Sequence, residues 1–190
     1  MARPKSEERR NAILDALTQT IASKGVSAST LAVAKMAGVS EGTIFKHFVT
    51  KDELLNSLYA ELKLEIADAL MSGFPRRLSV RSRLQFIWER YVTWGSENFH
   101  KFRALQQLTL WDGLTDTAKA AGTQQFESIR QIYRDAMDQR LWRPVSEQLV
   151  GSTITAFSEM TVALIQNNPE TQKEYMGTCF EMLWSSLKKS

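Results

Sequence analysis

Apolar residues recur at helical spacing along almost the whole chain. Ser6 can cap a first helix whose opening turn holds Glu7 and Glu8 and whose apolar face carries Ile13, Leu14, Leu17 and Ile21, with Lys24 and Gly25 closing it. Ser29 or Thr30 opens a short second helix that runs through Ala37 and ends at Gly38. Ser40 then caps a third that reaches Phe48. Thr50, Lys51, Asp52 and Glu53 read as a capping box ahead of a long fourth helix bearing Leu54, Leu55, Leu58, Leu62, Ile66 and Leu70, which stops between Gly73 and Pro75.

Longer helices follow. A fifth is predicted over about residues 79–96, with Leu84, Ile87, Tyr91 and Trp94 at helical spacing, and a sixth over about 98–111. Thr115 opens a seventh carrying Phe126, Ile129, Ile132, Tyr133, Ala136 and Met137. The stretch 153–157 alternates as a strand would, but Val150, Ile154, Phe157, Thr161 and Leu164 carry a 3.6-residue period through it, so an eighth helix is predicted over about 146–166. A ninth follows Pro169 and bears Met176, Phe180, Leu183 and Leu187. The expected fold is all-α, about nine helices, with a three-helix N-terminal module in residues 1–52 and a larger helical domain in 53–190. The division falls within the fourth helix and is one of function, not a flexible linker.

Composition supports this picture. The nine glycines and four prolines are few enough to leave long uninterrupted helical stretches. A single cysteine, Cys179, excludes an intramolecular disulfide framework and suits a reducing compartment, so a cytoplasmic protein is expected. Residues 1–10 are basic and polar without an apolar run behind them, unlike a secretory signal. No run of about 18 apolar residues is evident, which argues against a membrane span. The net charge of +3 is unevenly distributed: residues 1–51 carry +4 and the other 139 sum to −1. A basic first quarter is what a phosphate-facing module requires, although a solvated basic surface has the same composition.

The second and third helices, joined by Gly38, Val39 and Ser40, have the proportions of a helix-turn-helix, in which the second helix enters the DNA major groove. Ala34 is small enough for a close crossing, and Val33, Ala37, Val39, Ile44 and Phe48 supply a shared apolar face. By pattern alone a plain helical hairpin fits equally well. The residues themselves go further. Ser29-Thr30, Val33-Ala34, Ala37-Gly38-Val39-Ser40, Gly42-Thr43-Ile44-Phe45, Lys46-His47-Phe48 and Thr50-Lys51-Asp52-Glu53-Leu54-Leu55 together resemble the DNA-binding region of TetR-type regulators, without a gap over about residues 6–60.

That resemblance implies a homodimer on a palindromic double-stranded DNA operator, with Thr30, Ser40, Glu41, Gly42, Thr43, Phe45, Lys46, His47 and Lys51 at the DNA surface. The side-chain chemistry is compatible. Gly42 lets backbone approach the groove, Thr43 can bond a base edge or phosphate, and Lys46 can reach a phosphate or guanine. His47 can donate to a phosphate. Lys51 stands at a helix start where a phosphate is also favoured. Glu41 could accept from cytosine or serve only its own helix N-terminus. Family members often carry tyrosine where this chain has Phe45, which leaves only apolar contact there. Leu31 and Ala32 stand where polar residues are common. Arg3, Lys5, Arg9 and Arg10 form either a basic arm or a solvated tail.

The middle of the chain is rich in aromatics at helical spacing, which serve either a core or a pocket between helices. Trp88, Tyr91, Phe102, Trp111, Phe126, Phe157 and Glu159 are the pocket candidates, with Glu89 and His100 as further polar groups. Phe157, Met176, Phe180, Leu183, Trp184 and Leu187 are the candidates for a dimer interface, because the last helix is apolar on more than one face. Signatures of nucleophilic hydrolases, zinc proteases, P-loops and dinucleotide folds are absent, so no enzyme is expected. No cofactor and no metal site are expected either, since His47 and His100 lack neighbours with ligand spacing. The function expected is a DNA-binding transcriptional repressor released by a small, largely apolar or aromatic ligand. The alternative is a protein of the same fold controlled by a protein partner.

Overall fold

The computed structural model describes residues 5–189, apart from the side chains of Gln124 and Gln125, and Arg3 lies outside the described residues. Helices run in the order α1 (Lys5–Lys24), α2 (Thr30–Ala37), α3 (Glu41–His47), α4 (Lys51–Met71), α5 (Val80–Glu97), α6 (Phe99–Thr109), α7 (Asp116–Lys119), α8 (Thr123–Asp138), α9 (Glu147–Asn167) and α10 (Gln172–Leu187). A 3-10 turn, Pro169–Thr171, leads into α10. The all-α expectation holds, and the alternating stretch 153–157 lies inside α9.

Local chemistry accounts for the ends. Ser40, Thr115 and Ser146 each accept the backbone N–H three residues on, at 3.2 Å. At α4 the expected box forms with a shift, because Thr50 accepts the Glu53 N–H at 3.1 Å while the Glu53 carboxylate takes the N–H of Val49 at 2.7 Å. Three details differ from the sequence expectation. Ser6 sits inside α1, which already begins at Lys5. Ser29, not Thr30, caps α2, accepting the Ala32 N–H at 3.2 Å. The predicted seventh helix is two, α7 and α8, because the chain between them passes through Gly122 at φ +73°, a left-handed conformation that a helix cannot include.

The chain forms two compact units, residues 1–64 with 98–121, and residues 65–97 with 122–190. Compactness therefore groups α6 and α7 with the N-terminal helices, and α4 runs through both units. In the first unit α1 packs along α2, α3 and α6, burying Ile13, Leu17 and Ile21 together with Val33, Ile44, Phe102 and Leu108. In the second unit α5 packs against α8, α9 and α10. Its centre is Trp88, 1% exposed, whose ring meets Phe180 at 6.2 Å and whose indole N–H donates to the Met176 carbonyl at 3.0 Å.

α9 is long and apolar enough to cross a membrane by length and composition, although no unbroken run of about 18 apolar residues lies in it. Its Val150, Ser158, Thr161, Val162 and Ile165 are buried. The opposite face presents Leu149, Ser152, Ala156, Met160, Ala163 and Asn167, all exposed and all uncharged.

α5 and α8 are tied by Arg83 and Asp135, 2.6 Å apart, with the Arg83 side chain 8% and the Asp135 side chain 26% exposed. The Gln131 amide, 2.7 Å away, and the Arg83 guanidinium hold the Asp135 carboxyl below its usual range. A depressed carboxyl stabilises the fold above the ordinary carboxylate range, and that contribution is lost as pH falls through the folded-state value. Asp135→Ala strands a buried guanidinium and is expected to lower unfolding free energy by on the order of 3 kcal/mol at neutral pH. Urea melts at pH 7 and pH 3 check this: the gap between wild type and variant should shrink at the lower pH.

Candidate functional site

α2 ends in a left-handed Gly38 at φ +66°, whose turn is closed by the Val39 N–H donating to the Ala34 carbonyl at 3.0 Å. Two residues later Ser40 starts α3. Only seven residues long, α3 is held from one side by Ile44, which is fully buried, and at its end by Phe48, 2% exposed. At 100° per residue, Gly42 and Lys46 lie opposite Ile44, with Thr43 and Phe45 flanking them. Gly42, Phe45 and Lys46 are exposed, Phe45 by 43%, and Thr43 and His47 are half-buried. The outward face of α3 thus offers a cation, a bare backbone position, a hydroxyl and an aromatic ring.

The polar groups around this face are partly engaged. The Thr43 hydroxyl shares a 2.8 Å hydrogen bond with that of Ser40. Thr30 donates its hydroxyl to the Glu41 carboxylate, tying the first turn of α2 to the first turn of α3. Glu41 is thereby committed within the protein and sits where the α3 dipole favours an anion. At α4, Asp52 and Glu53 fill the first turn, so the feature presented to a phosphate is the Lys51 ammonium rather than the helix end. Arg10 pairs with Glu61 and lies over the Phe48 ring at 5.4 Å, so it belongs to the packing of this unit and not to a free arm; Lys5 and Arg9 are exposed. Leu31 and Val49, 64% and 78% exposed, add apolar surface beside α2 and α3 that no role had been assigned to.

The second unit contains a cavity of about 230 Å³. Leu84 of α5, Phe126, Ile129 and Tyr133 of α8, and Val150 and Ile154 of α9 form apolar walls. Arg130, Trp142 and Glu147 also line it. Trp142 is 2% exposed, and its indole N–H has no hydrogen-bond partner among the described residues.

Residues 13–58 match the family model of bacterial regulatory proteins, tetR family. Over this quarter of its length the chain is similar to the TetR family. Within that stretch the chain carries α2, α3 and the turn between them, which have the proportions of a helix-turn-helix. It is 28% identical over 137 residues to the nucleoid occlusion factor SlmA of Marinomonas sp. (strain MWYL1), covering 70% of this chain and 69% of that protein. The fold matches a TetR family transcription regulator from Marinobacter aquaeolei VT8 at a TM-score of 0.86, 22% identity and full coverage of both chains. It also matches the transcriptional regulator FadR from Bacillus subtilis, solved in complex with stearoyl-CoA, at a TM-score of 0.69 and 17% identity over 93% of this chain and 98% of that one.

The residues expected in a pocket are scattered. Phe126 lines the cavity. Trp88 is in the core, and Tyr91 lies near Glu159, where burial and that carboxylate push the phenol above its usual range. Phe102 is buried in the first unit, Trp111 is half-buried there, and Phe157 is half-buried on α9. Glu89 and His100 are exposed. Aromatic spacing marks buried faces and does not mark where a void is left between them. Of the residues expected at a dimer interface, Phe180, Leu183, Trp184 and Leu187 are buried within their own unit, and Met176 is half-buried. α10 is apolar on a wide face because it packs against both α5 and α9.

A Cβ built on Gly42 meets only the Ser40 hydroxyl, at 3.9 Å, so nothing inside the protein requires glycine there. Gly42→Ala is therefore expected to fold with an unchanged or slightly raised melting temperature. If groove backbone approaches this position, DNA affinity should drop by roughly tenfold, about 1.4 kcal/mol. Fluorescence anisotropy on operator DNA, alongside a thermal melt, separates the two effects.

Proposed function

We propose that the protein is a cytoplasmic, homodimeric repressor that binds a palindromic operator and leaves it when a small, largely apolar ligand occupies the second unit. The observation that carries the reading is the outward face of α3, where Gly42, Thr43, Phe45 and Lys46 are turned away from a fully packed inner side. Thr30, Ser40, Glu41, His47 and Lys51 surround it, with Thr30 and Glu41 holding the helix pair in register. Functionally, residues 1–52 read DNA and 53–190 dimerise and sense. One short helix reads only a few base pairs, so a two-fold pair spanning half-sites about one helical turn apart supplies the rest of the specificity.

The uncharged exposed stripe of α9 supports pairing with a second copy, since its length and small side chains suit a two-fold helical contact. The cavity supports ligand control, as does the stearoyl-CoA bound by the FadR structure. A ligand acts only as far as it binds the DNA-free conformation better.

Anisotropy titrations on operator DNA at several salt concentrations test the DNA reading. Affinity should fall steeply with salt, and Lys46→Ala should weaken binding broadly and lower the salt slope by about one. Ala163→Glu, at an exposed site, should leave folding intact but yield monomers by sedimentation and poor operator binding. Gly151→Leu tests coupling: a Cβ at Gly151 meets nothing within 4 Å, so a larger side chain projects into open space beside the cavity. That variant is expected to bind the operator normally and to ignore ligand. Wild-type protein that shifts no DNA at low salt would overturn the proposal, and control by a protein partner would replace it if no ligand releases the operator but a tight partner does.

A further inference from the structure

Large apolar side chains that stand in water are unevenly spread over the described residues. Leu31, Met36, Phe45 and Val49 fall between residues 31 and 49, whereas the other six lie scattered between residues 64 and 182. A single exposed leucine is ordinary, but a cluster of such residues marks a surface that meets something. Met36 is partly spoken for, since its sulfur takes the Thr20 hydroxyl at 3.6 Å. Leu31, Phe45 and Val49 remain.

The Thr30 hydroxyl bonds the Glu41 carboxylate, so the first turn of α2 sits against the first turn of α3. Leu31 is the next residue of α2, and Lys35, one turn later and also exposed, shares its face. In a helix-turn-helix the first residues of the second helix meet base edges while the first helix crosses the backbone. Leu31 therefore stands at the end of the motif nearest the bases, with a cation one turn away for a phosphate. Phe45 lies on the outward side of α3 beside Lys46. Seven residues make a helix of about 10 Å, shorter than the roughly 12 Å width of the major groove, so the groove can take the whole of that side.

Leucine and phenylalanine side chains cannot donate to phosphate oxygens, which is how backbone contacts are made. The group in the major groove that suits them is the thymine 5-methyl. Lys35, Lys46 and Lys51 are interleaved with these apolar residues, while Glu41 is engaged by Thr30 and Glu53 by the Val49 N–H. Lysine is depleted in protein interfaces, so this mixture fits a polyanion better than a protein partner.

We propose, on the reading above that α3 enters the major groove, that Leu31 and Phe45 select thymine in each half-site by burying its 5-methyl group, with Lys35 on a phosphate beside Leu31. Specificity at these two positions comes from apolar contact and not from a hydrogen bond. Val49 follows the last turn of α3, next to the start of α4, and is outside the reading pair.

The test uses full-length protein and duplexes selected from a random library of roughly 30 base pairs, long enough for two half-sites one helical turn apart. Each thymidine of a selected duplex is replaced in turn by deoxyuridine, which removes one methyl and no hydrogen-bonding group. Anisotropy should show binding weakened about fourfold at each read position, the worth of burying one methyl-sized group. Leu31→Ala should abolish the thymine preference at one such position and Phe45→Ala at another, while Val49→Ala keeps both. All three sites are exposed, so thermal melts should be unchanged. Lys35→Ala should lower the salt slope by about one and leave the thymine preference intact. The inference is overturned if uracil duplexes bind as well as thymine ones at every position, or if Leu31→Ala and Phe45→Ala weaken both kinds alike. Tight, salt-dependent binding that is indifferent to the methyl keeps the DNA reading and sinks the inference. A library from which nothing is enriched at low salt sinks both.

Discussion

A helix of seven residues has too few internal hydrogen bonds to persist alone in water, so α3 exists only because Ile44 is buried against its neighbours and because both of its ends are fastened. Ser40 closes the first turn, Thr30 reaches across to Glu41, and Phe48 anchors the exit beneath Arg10. With one side of the helix committed in this way, the other side has no choice but to face outward. The exposed face of the helix is what remains of α3 once its packing has been satisfied.

The same logic explains why α1 is long. α2 and α3 present a small apolar area between them, and α1 extends the surface they can bury, reaching α6 on its other flank. Arg10, a residue whose charge suggests DNA, is used here to cover Phe48 and to pair with Glu61. Long cationic side chains often serve packing through their stems and stacked guanidinium groups, so the positive charge of the first 51 residues overstates what is available to phosphates.

In the second unit the balance differs. α5 is surrounded by α8, α9 and α10, and its core is filled tightly around Trp88. The void lies to one side, lined by Leu84 of α5, by α8, by the first turns of α9 and by Trp142 of the connecting chain. That connection follows a turn in which Arg140 adopts φ +55°, and it is pinned to the end of α10 by the bridge at Lys188.

Much of this could be read from the order of residues alone. Helix faces, the caps at Ser40, Thr50, Thr115 and Ser146, and the turn at Gly38 follow from interactions between residues three to five apart, which any reader of the chain can pair. The match over residues 13–58 is legible for a related reason: the DNA-binding element is nearly contiguous, so its motif survives in one stretch. The break between α7 and α8 is not legible in the pattern, because Gly122 stands within an otherwise helical stretch and its left-handed φ is not written in the spacing. Tertiary structure alone decided the commitment of Glu41 to Thr30, the inward packing of Phe180, Leu183, Trp184 and Leu187, and the site of the cavity. Each depends on how the spaces between separately folded helices are divided, and a void is defined by the side chains that fail to meet, which no local spacing along the chain encodes.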